Sequence, residues 1–404
     1  MQITKRDWRL QMGIIKGSML TNSQLTQLGN DHGLPLFIYD CSYLQERAQQ
    51  LMQLKLPFGI TPRYAVKANN HPEIIALFNE VGLSFDASSS YEAAELINQG
   101  IAAEKISLSS QQPAHNLPEL LQAGVQYVAT SLHQLELFIK TAPSGESVGL
   151  RINPGLGAGH NNRTTTGGAN SSFGLWNAYL PDALKMAGEA SVHITRLHIH
   201  IGSGADPKMW GEVIKTALSI VRQMPEVTTL DIGGGFKIHR YGDEHEADMT
   251  EIAEVFAGEL GAFAEETGRK LHLEIEPGTW LVAHGGTLLA EVVDIVDTGA
   301  DGHTFLRLNT GMNDIIRPSM YGAQHKIEVL SDTAEQEEYV VVGHNCETGD
   351  ILTPAPGDPE GLDPRLMKKA AIGDTVAIYD AGAYCTSFAV HGYNSFPSAK
   401  ELFI

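Results

Sequence analysis

Cysteine is scarce. The 404 residues hold three, Cys41, Cys346 and Cys385, an odd set too small for a disulfide framework, so a reducing, cytoplasmic setting is expected. No two cysteines have zinc-finger spacing. His198 and His200, two apart on an expected strand, share a face but make a weak metal signal, and no metal is expected. Long apolar runs are also missing: none approaches the roughly 18 residues of a membrane helix. Met1–Leu20 mixes Lys, Arg and Asp with isolated apolar pairs, so a secretory signal is not expected. Positive charge is in deficit, with 28 Lys and Arg against 48 Asp and Glu and a formal net charge of −20. That sign argues against a nucleic-acid or anionic-membrane partner. Any anionic ligand must be held locally, by backbone N–H groups or a few placed cations.

What is present is a core. Hydrophobic residues make up 43% of the chain, enough to exclude wholesale disorder. Short β-branched runs alternate with longer helix-like stretches. The expected strands are Arg63–Asn69, Ser84–Ser88, Ile106–Ser110, Gln126–Ser131, Val148–Asn153, Arg196–Gly202, Thr229–Gly233 and Leu271–Glu276. Between them lie amphipathic stretches such as Met249–Thr267, where Ile252, Val255, Phe256, Leu260 and Phe263 recur at spacings of three and four. Alternation implies parallel strands joined by crossovers, and eight units imply an α/β fold built on a (β/α)₈ TIM-like barrel over residues 40–285. A doubly wound open sheet would want a glycine-rich turn after its first strand, and Lys67-Ala68-Asn69-Asn70 is not one. After Gly285 the texture changes to strands such as Thr287–Thr298, Glu338–Gly343 and Asp374–Tyr379, with turns rich in Gly, Pro and Asp between them. Residues 286–404 read as a mostly β domain, to which the segment 1–39 lends Leu36–Tyr39.

Four strand ends carry chemistry. Lys67 lies in the apolar run Tyr64–Asn69; the alternatives are a lysine snorkelling at a strand end and a Schiff-base lysine activated by desolvation. Gly233, Gly234 and Gly235 close the seventh strand, where consecutive glycines let N–H groups reach an anion. Glu274 and Glu276 alternate onto one face of the eighth strand, and a buried carboxylate needs a cationic partner such as a pyridinium nitrogen. His200 and Ser203 follow the sixth strand, placed to stack on a planar ring and to donate to a phosphate.

Together these segments resemble the pyridoxal-phosphate-dependent basic amino-acid decarboxylases with the alanine-racemase-like barrel (fold type III), most of all the diaminopimelate decarboxylase family. The resemblance extends through Arg151–His160, Gly167-Gly168, Phe173-Gly174, Gly311–Asp314, Arg317-Pro318, Tyr321-Gly322, Cys346–Asp350, Ala381–Tyr384 and Tyr393-Asn394. It implies that Lys67 holds pyridoxal 5'-phosphate covalently, that His200 stacks on its ring and that Glu276 pairs with the ring nitrogen. Ser203, Gly234, Gly235, Gly278 and Tyr384 would bind the phosphate, and Asp86 and Arg151 would be polar supports. In a homodimer with shared sites, Cys346 from the second subunit would reprotonate the substrate carbon and Glu347 would recognise the distal amino group. Arg317 and Tyr321 would bind a distal carboxylate.

The implied reaction is the conversion of meso-diaminopimelate to L-lysine and CO₂. One position departs from the family: Thr279 stands where Arg usually follows Glu-Pro-Gly, and a hydroxyl replaces neither the charge nor the fork of a guanidinium. Either another cation compensates, with Arg317 and Arg163 as candidates, or the substrate is another amino acid, such as ornithine, lysine or a carrier-bound one. A racemase and a non-catalytic homologue are the readings from other classes. A racemase has no use for a Cys-Glu-x-Gly-Asp loop, and a decoy would have lost the cofactor contacts that Lys67, His200 and Glu276 retain.

Overall fold

The computed structural model describes residues 20–155, 167–200 and 202–404. The chain divides into two compact units. One is Arg47–Ile238 with His245–Trp280; the other is the described part of Met1–Glu46 with His239–Glu244 and Leu281–Ile404. The divisions fall some residues inside the expected 40–285. The reason is backbone pairing: Asp40 N–H donates to the Gly285 carbonyl and Cys41 N–H to that of Ile404, which ties these flanks to the β unit.

The first unit is a closed barrel. Its eight parallel strands are Ile60–Ala65, Ser84–Ala87, Ile106–Leu108, Gln126–Ala129, Ser147–Asn153, His193–His198, Thr229–Asp231 and His272–Ile275. They pair in chain order, and the eighth pairs with the first. The helices between them begin and end where the sequence supplies caps. Met249–Thr267 starts where the Asp248 carboxylate accepts from the N–H groups of Thr250 and Glu251, and stops at Gly268 in the left-handed conformation. Its buried face, Ile252, Phe256, Leu260 and Phe263, packs toward helix Pro207–Val221. Trp210 of that helix stacks at 4.3 Å on Phe236, the residue after the three glycines, and so anchors their turn.

The strand expected over Arg63–Asn69 is shorter. Its ladder to the second strand ends at Ala65, opposite Asp86. Beyond it the chain curls into one 3₁₀ turn, Val66–Ala68. Lys67 therefore stands on a turn at the carboxyl end of the barrel, with 46% of its side chain exposed.

A polar network fills the lower barrel interior. Arg63 donates to both oxygens of Glu274, at 2.9 and 2.8 Å, and Arg196 donates to the same carboxylate at 2.9 Å and to Ser107 Oγ at 2.9 Å. The Gln126 side-chain oxygen accepts from both guanidinium groups. These residues sit on the first, third, fourth, sixth and eighth strands, around the lumen.

In the β unit, the twelve-residue strand Gly286–Asp297 is the spine. Its first half pairs with Leu36–Tyr39 and Thr375–Ile378; after a register shift between Val292 and Asp294, its second half pairs with Thr304–Leu308. Gln336–Val342, Arg365–Lys368 and Ile327–Val329 extend the sheet. Leu36–Tyr39 joins it as expected, flanked on its other side by Lys400–Phe403. Among the described residues no helix is long and apolar enough to cross a membrane.

Candidate active site

At the carboxyl end of the barrel, strand ends converge on a second polar layer. Lys67 Nζ lies 3.4 Å from Asp86 Oδ2. Asp86, on the second strand, is buried, and its Oδ1 has no hydrogen-bond partner. Glu276, one residue past the eighth strand, is buried with Oε2 3.5 Å from His198 Nε2, while its Oε1 has no partner. Burial pushes the Glu276 carboxyl well above its usual range, and the nearby Asp231 and Asp86 push it further; Lys67 and Arg151 oppose this. Asp231, ending the seventh strand, accepts from Gly233 N–H at 2.9 Å and is lifted to about 6, by burial first and by Glu274 second. Burial, then the charge of Arg151, holds the His198 and His200 imidazoles far below their ordinary value, so both rings are neutral. Arg151 reaches in from the fifth strand, its guanidinium 5.1 Å from the centre of the Phe173 ring.

The glycine turn is as tight as an anion cradle requires. Gly235 has φ +101°, and a Cβ there would strike the Gly202 carbonyl; a Cβ on Gly234 would strike the Glu276 carbonyl. Only glycine fits at either position. Ser203 sits half-buried after the sixth strand, Gly278 is buried past the eighth, and Thr279 opens the short helix Thr279–Val282. The barrel thus brings Lys67, Asp86, Arg151, His200, Ser203, Gly234, Gly235, Glu276 and Gly278 to one end. It adds His198 and Asp231 as members of the layer. His198 had only a weak metal reading in the sequence, and nothing there singled out the aspartate before Ile232.

The remaining candidates belong to the β unit. Cys346 and Glu347 are exposed on a loop held from below by buried Asp350. That carboxylate accepts from Met312 N–H at 2.6 Å, Asn345 N–H at 2.9 Å and Asn345 Nδ2 at 2.7 Å. Two motifs far apart in sequence, Gly311–Asp314 and Cys346–Asp350, are therefore one structure. Cys346 N–H donates to Asn394 Oδ1 at 2.6 Å, and Tyr393 donates to Glu347 at 3.4 Å. Arg317 begins the short helix Arg317–Tyr321, and its Nη1 donates to His325 Nε2 at 2.6 Å. Tyr321 is half-buried. Tyr384 holds a left-handed φ of +55°, a conformation that non-glycine residues seldom adopt. Arg163 and residues 156–160 lie outside the described residues.

A family profile described as "Pyridoxal-dependent decarboxylase, pyridoxal binding domain" matches residues 44–283, more than half of the chain. The chain belongs to the pyridoxal-dependent decarboxylases, carboxy-lyases that work with pyridoxal 5'-phosphate. Within that class it is 31% identical over 396 residues to the diaminopimelate decarboxylase of Streptomyces coelicolor, covering 95% of this chain and 88% of that one. It is 30% identical over 404 residues to the diaminopimelate decarboxylase of Escherichia coli K12, covering 95% and 91%. A crystal structure of a diaminopimelate decarboxylase superposes with a TM-score of 0.87 at 29% identity, covering 95% of this chain and 92% of that one.

The residues present fit the cofactor. The closed Cβ positions at Gly234 and Gly235 leave backbone for a phosphate. The Glu276 oxygen without a partner suits a protonated ring nitrogen, and the Lys67 amine is accessible to an aldehyde.

Proposed function

We propose that the chain decarboxylates meso-diaminopimelate to L-lysine, within lysine biosynthesis, as a cytoplasmic homodimer. The observation that carries the site is the Lys67 amine beside Asp86, over a buried layer in which Glu276 Oε1 lacks a partner. Bound there, pyridoxal phosphate supplies an electron sink for the pair left behind when CO₂ departs. Lys67 holds the aldehyde end. Ser203, Gly234, Gly235, Gly278 and Tyr384 take the phosphate, neutral His200 lies against the ring, and Glu276 keeps the ring nitrogen protonated. Asp86 and Arg151 set the charge around the amine. Cys346 returns a proton to the substrate carbon, Glu347 accepts the distal ammonium, and Arg317 and Tyr321 grip the distal carboxylate. Thr279 favours a second reading, a decarboxylase of another amino acid such as ornithine, lysine or a carrier-bound one; CO₂ release from a panel of amino acids separates the two.

Borohydride reduction of the holoenzyme should fix the cofactor to the peptide carrying Lys67. Covalent capture by Lys67→Ala would overturn that assignment. The shared site has its own test. Random exchange between inactive Lys67→Ala and inactive Cys346→Ala subunits should restore about a quarter of wild-type activity, since each heterodimer keeps one intact site. No recovery after verified exchange counts against subunit sharing.

A further inference from the structure

The sixth barrel strand ends on a histidine that the reaction described above does not use. In the ladder His198 stands between Arg151 on one neighbouring strand and Asp231 on the other. Its side chain is 2% exposed, and neither Nδ1 nor Nε2 has a hydrogen-bond partner among the described residues. Asp231 Oδ2 has none either, although Oδ1 accepts from Gly233 N–H at 2.9 Å. His198, Asp231 and Glu276 each bring one polar atom within 4.8 Å of the others. His198 Nε2 is 3.5 Å from Glu276 Oε2, a short step from a hydrogen bond. The Glu276 backbone is fixed: its N–H donates to the Gly233 carbonyl at 2.8 Å, and its own carbonyl lies against Gly234. Side-chain torsions and neighbours alone aim the carboxyl.

A buried imidazole without partners is unfavourable for folding, so filling space does not account for it. What it offers is a partner for Glu276 in either charge state. Burial, Asp231 and Asp86 favour a Glu276 carboxyl that keeps its proton, against the pull of Lys67 and Arg151. A carboxyl in that state would leave the ring nitrogen of the cofactor neutral, and a neutral ring is a poor electron sink. Burial first, then Arg151, His200, Lys67 and Arg196, keeps the His198 imidazole neutral. A neutral imidazole has one N–H and one lone pair. Nε2 can therefore accept from a protonated carboxyl or, in the other tautomer, donate to a carboxylate. Hydrogen bonds that are long in a ligand-free site commonly tighten once the ligand is bound.

We infer that His198 is a positioning residue for Glu276: it holds the carboxylate, and so keeps the proton between Glu276 and the cofactor on the ring nitrogen. This rests on the pairing of Glu276 with that nitrogen given under the proposed function. The protons balance. The one that leaves Glu276 goes to the ring nitrogen, and His198 keeps a single proton, presented at Nε2 rather than Nδ1. Asp231, which repels a charged Glu276 from the next strand, is the reason such a donor is needed.

The test uses holoenzyme loaded with pyridoxal phosphate isotopically labelled at its ring nitrogen, whose NMR shift reports whether it carries a proton. His198→Phe keeps a ring and removes both nitrogens. The cofactor nitrogen should move from the protonated toward the neutral shift. The kcat should fall about ten- to hundredfold, the size of a hydrogen bond to a charged group. KM should change less than about threefold, because no contact with substrate is lost. The cofactor-free protein should keep or raise its Tm, since buried nitrogens without partners are gone. His198→Gln restores an amide donor and should return the shift toward that of wild type. A cofactor nitrogen as protonated in His198→Phe as in wild type would overturn the inference. Glu276→Gln separates the two claims. If it moves the shift while His198→Phe does not, the role of His198 alone falls. If neither moves it, the pairing of Glu276 with the ring falls as well. Should His198→Phe fold poorly or lose cofactor, His198→Leu takes its place under the same criteria. Equal loss of cofactor from His198→Leu and His198→Gln would make His198 a packing residue and overturn its positioning role.

Discussion

Glu274 and Glu276 stand two residues apart at the end of one strand, both are buried, and they live in opposite conditions. Around Glu274, burial would lift the carboxyl, but the hydrogen bonds and charges of Arg63 and Arg196 outweigh it and hold the group below its usual range. Around Glu276 nothing outweighs burial. Its neighbours Asp231 and Asp86 add repulsion, and one of its oxygens bonds to nothing. The lower layer of the barrel is a completed structure; the upper layer is complete only with a ligand. A buried polar group left without a partner costs folding free energy, so a cluster of them at one end of a barrel marks where something else is meant to bind.

Three experiments break or sharpen this contrast. The largest effect falls in the lower layer. Glu274→Gln leaves Arg63 and Arg196 buried without their hydrogen-bonded counter-charge and should cost about 3–5 kcal/mol in urea unfolding. Adding Arg63→Met should recover part of that loss, because the two sites share one network. In the upper layer the order reverses. Glu276→Gln should leave the stability of the cofactor-free protein within about 0.5 kcal/mol. It should lower kcat of the holoenzyme ten- to hundredfold, for a charged hydrogen bond worth about 1.5–3 kcal/mol. If Glu276→Gln unfolds the protein as Glu274→Gln does, the two layers do not differ in kind.

The smallest effect is a pH slope. The Asp231 carboxyl is held at about 6 in the fold against an ordinary 3.8, so the folded state takes up its proton more readily than the unfolded chain. Its contribution to stability is fully present below about pH 4 and is lost as pH rises through about 6. Thermal midpoints of the cofactor-free protein should therefore fall over that interval, and Asp231→Asn should flatten the fall.

Much of this architecture was legible in the sequence, and the gaps have physical causes. Alternating β-branched runs and amphipathic stretches carried the barrel, because parallel strands buried on both faces must be apolar nearly throughout. The same signal misplaced Lys67: Val66 and Ala68 are buried as a strand's residues would be, yet they sit in a 3₁₀ turn. Alternation put Glu274 and Glu276 on one face but is blind to depth, and about 6–7 Å along a strand separates a closed network from an open one. The motifs around Asn313 and Asp350 were each weak alone. Their hydrogen bonds to one another are a tertiary fact that no local pattern contains.

The strand Leu36–Tyr39 has two partners, and they come from distant parts of the chain. Gly286–Asp297 covers one edge and Lys400–Phe403 the other. The barrel, by contrast, lays down its strands in order, each beside the one before. Apart from the pair that closes it, its ladder needs only short loop closures, whereas Leu36–Tyr39 pairs only with segments from far along the chain. The two units thus differ in contact order: pairing in chain order builds the half that carries Lys67, and long-range pairing joins the half that carries Cys346.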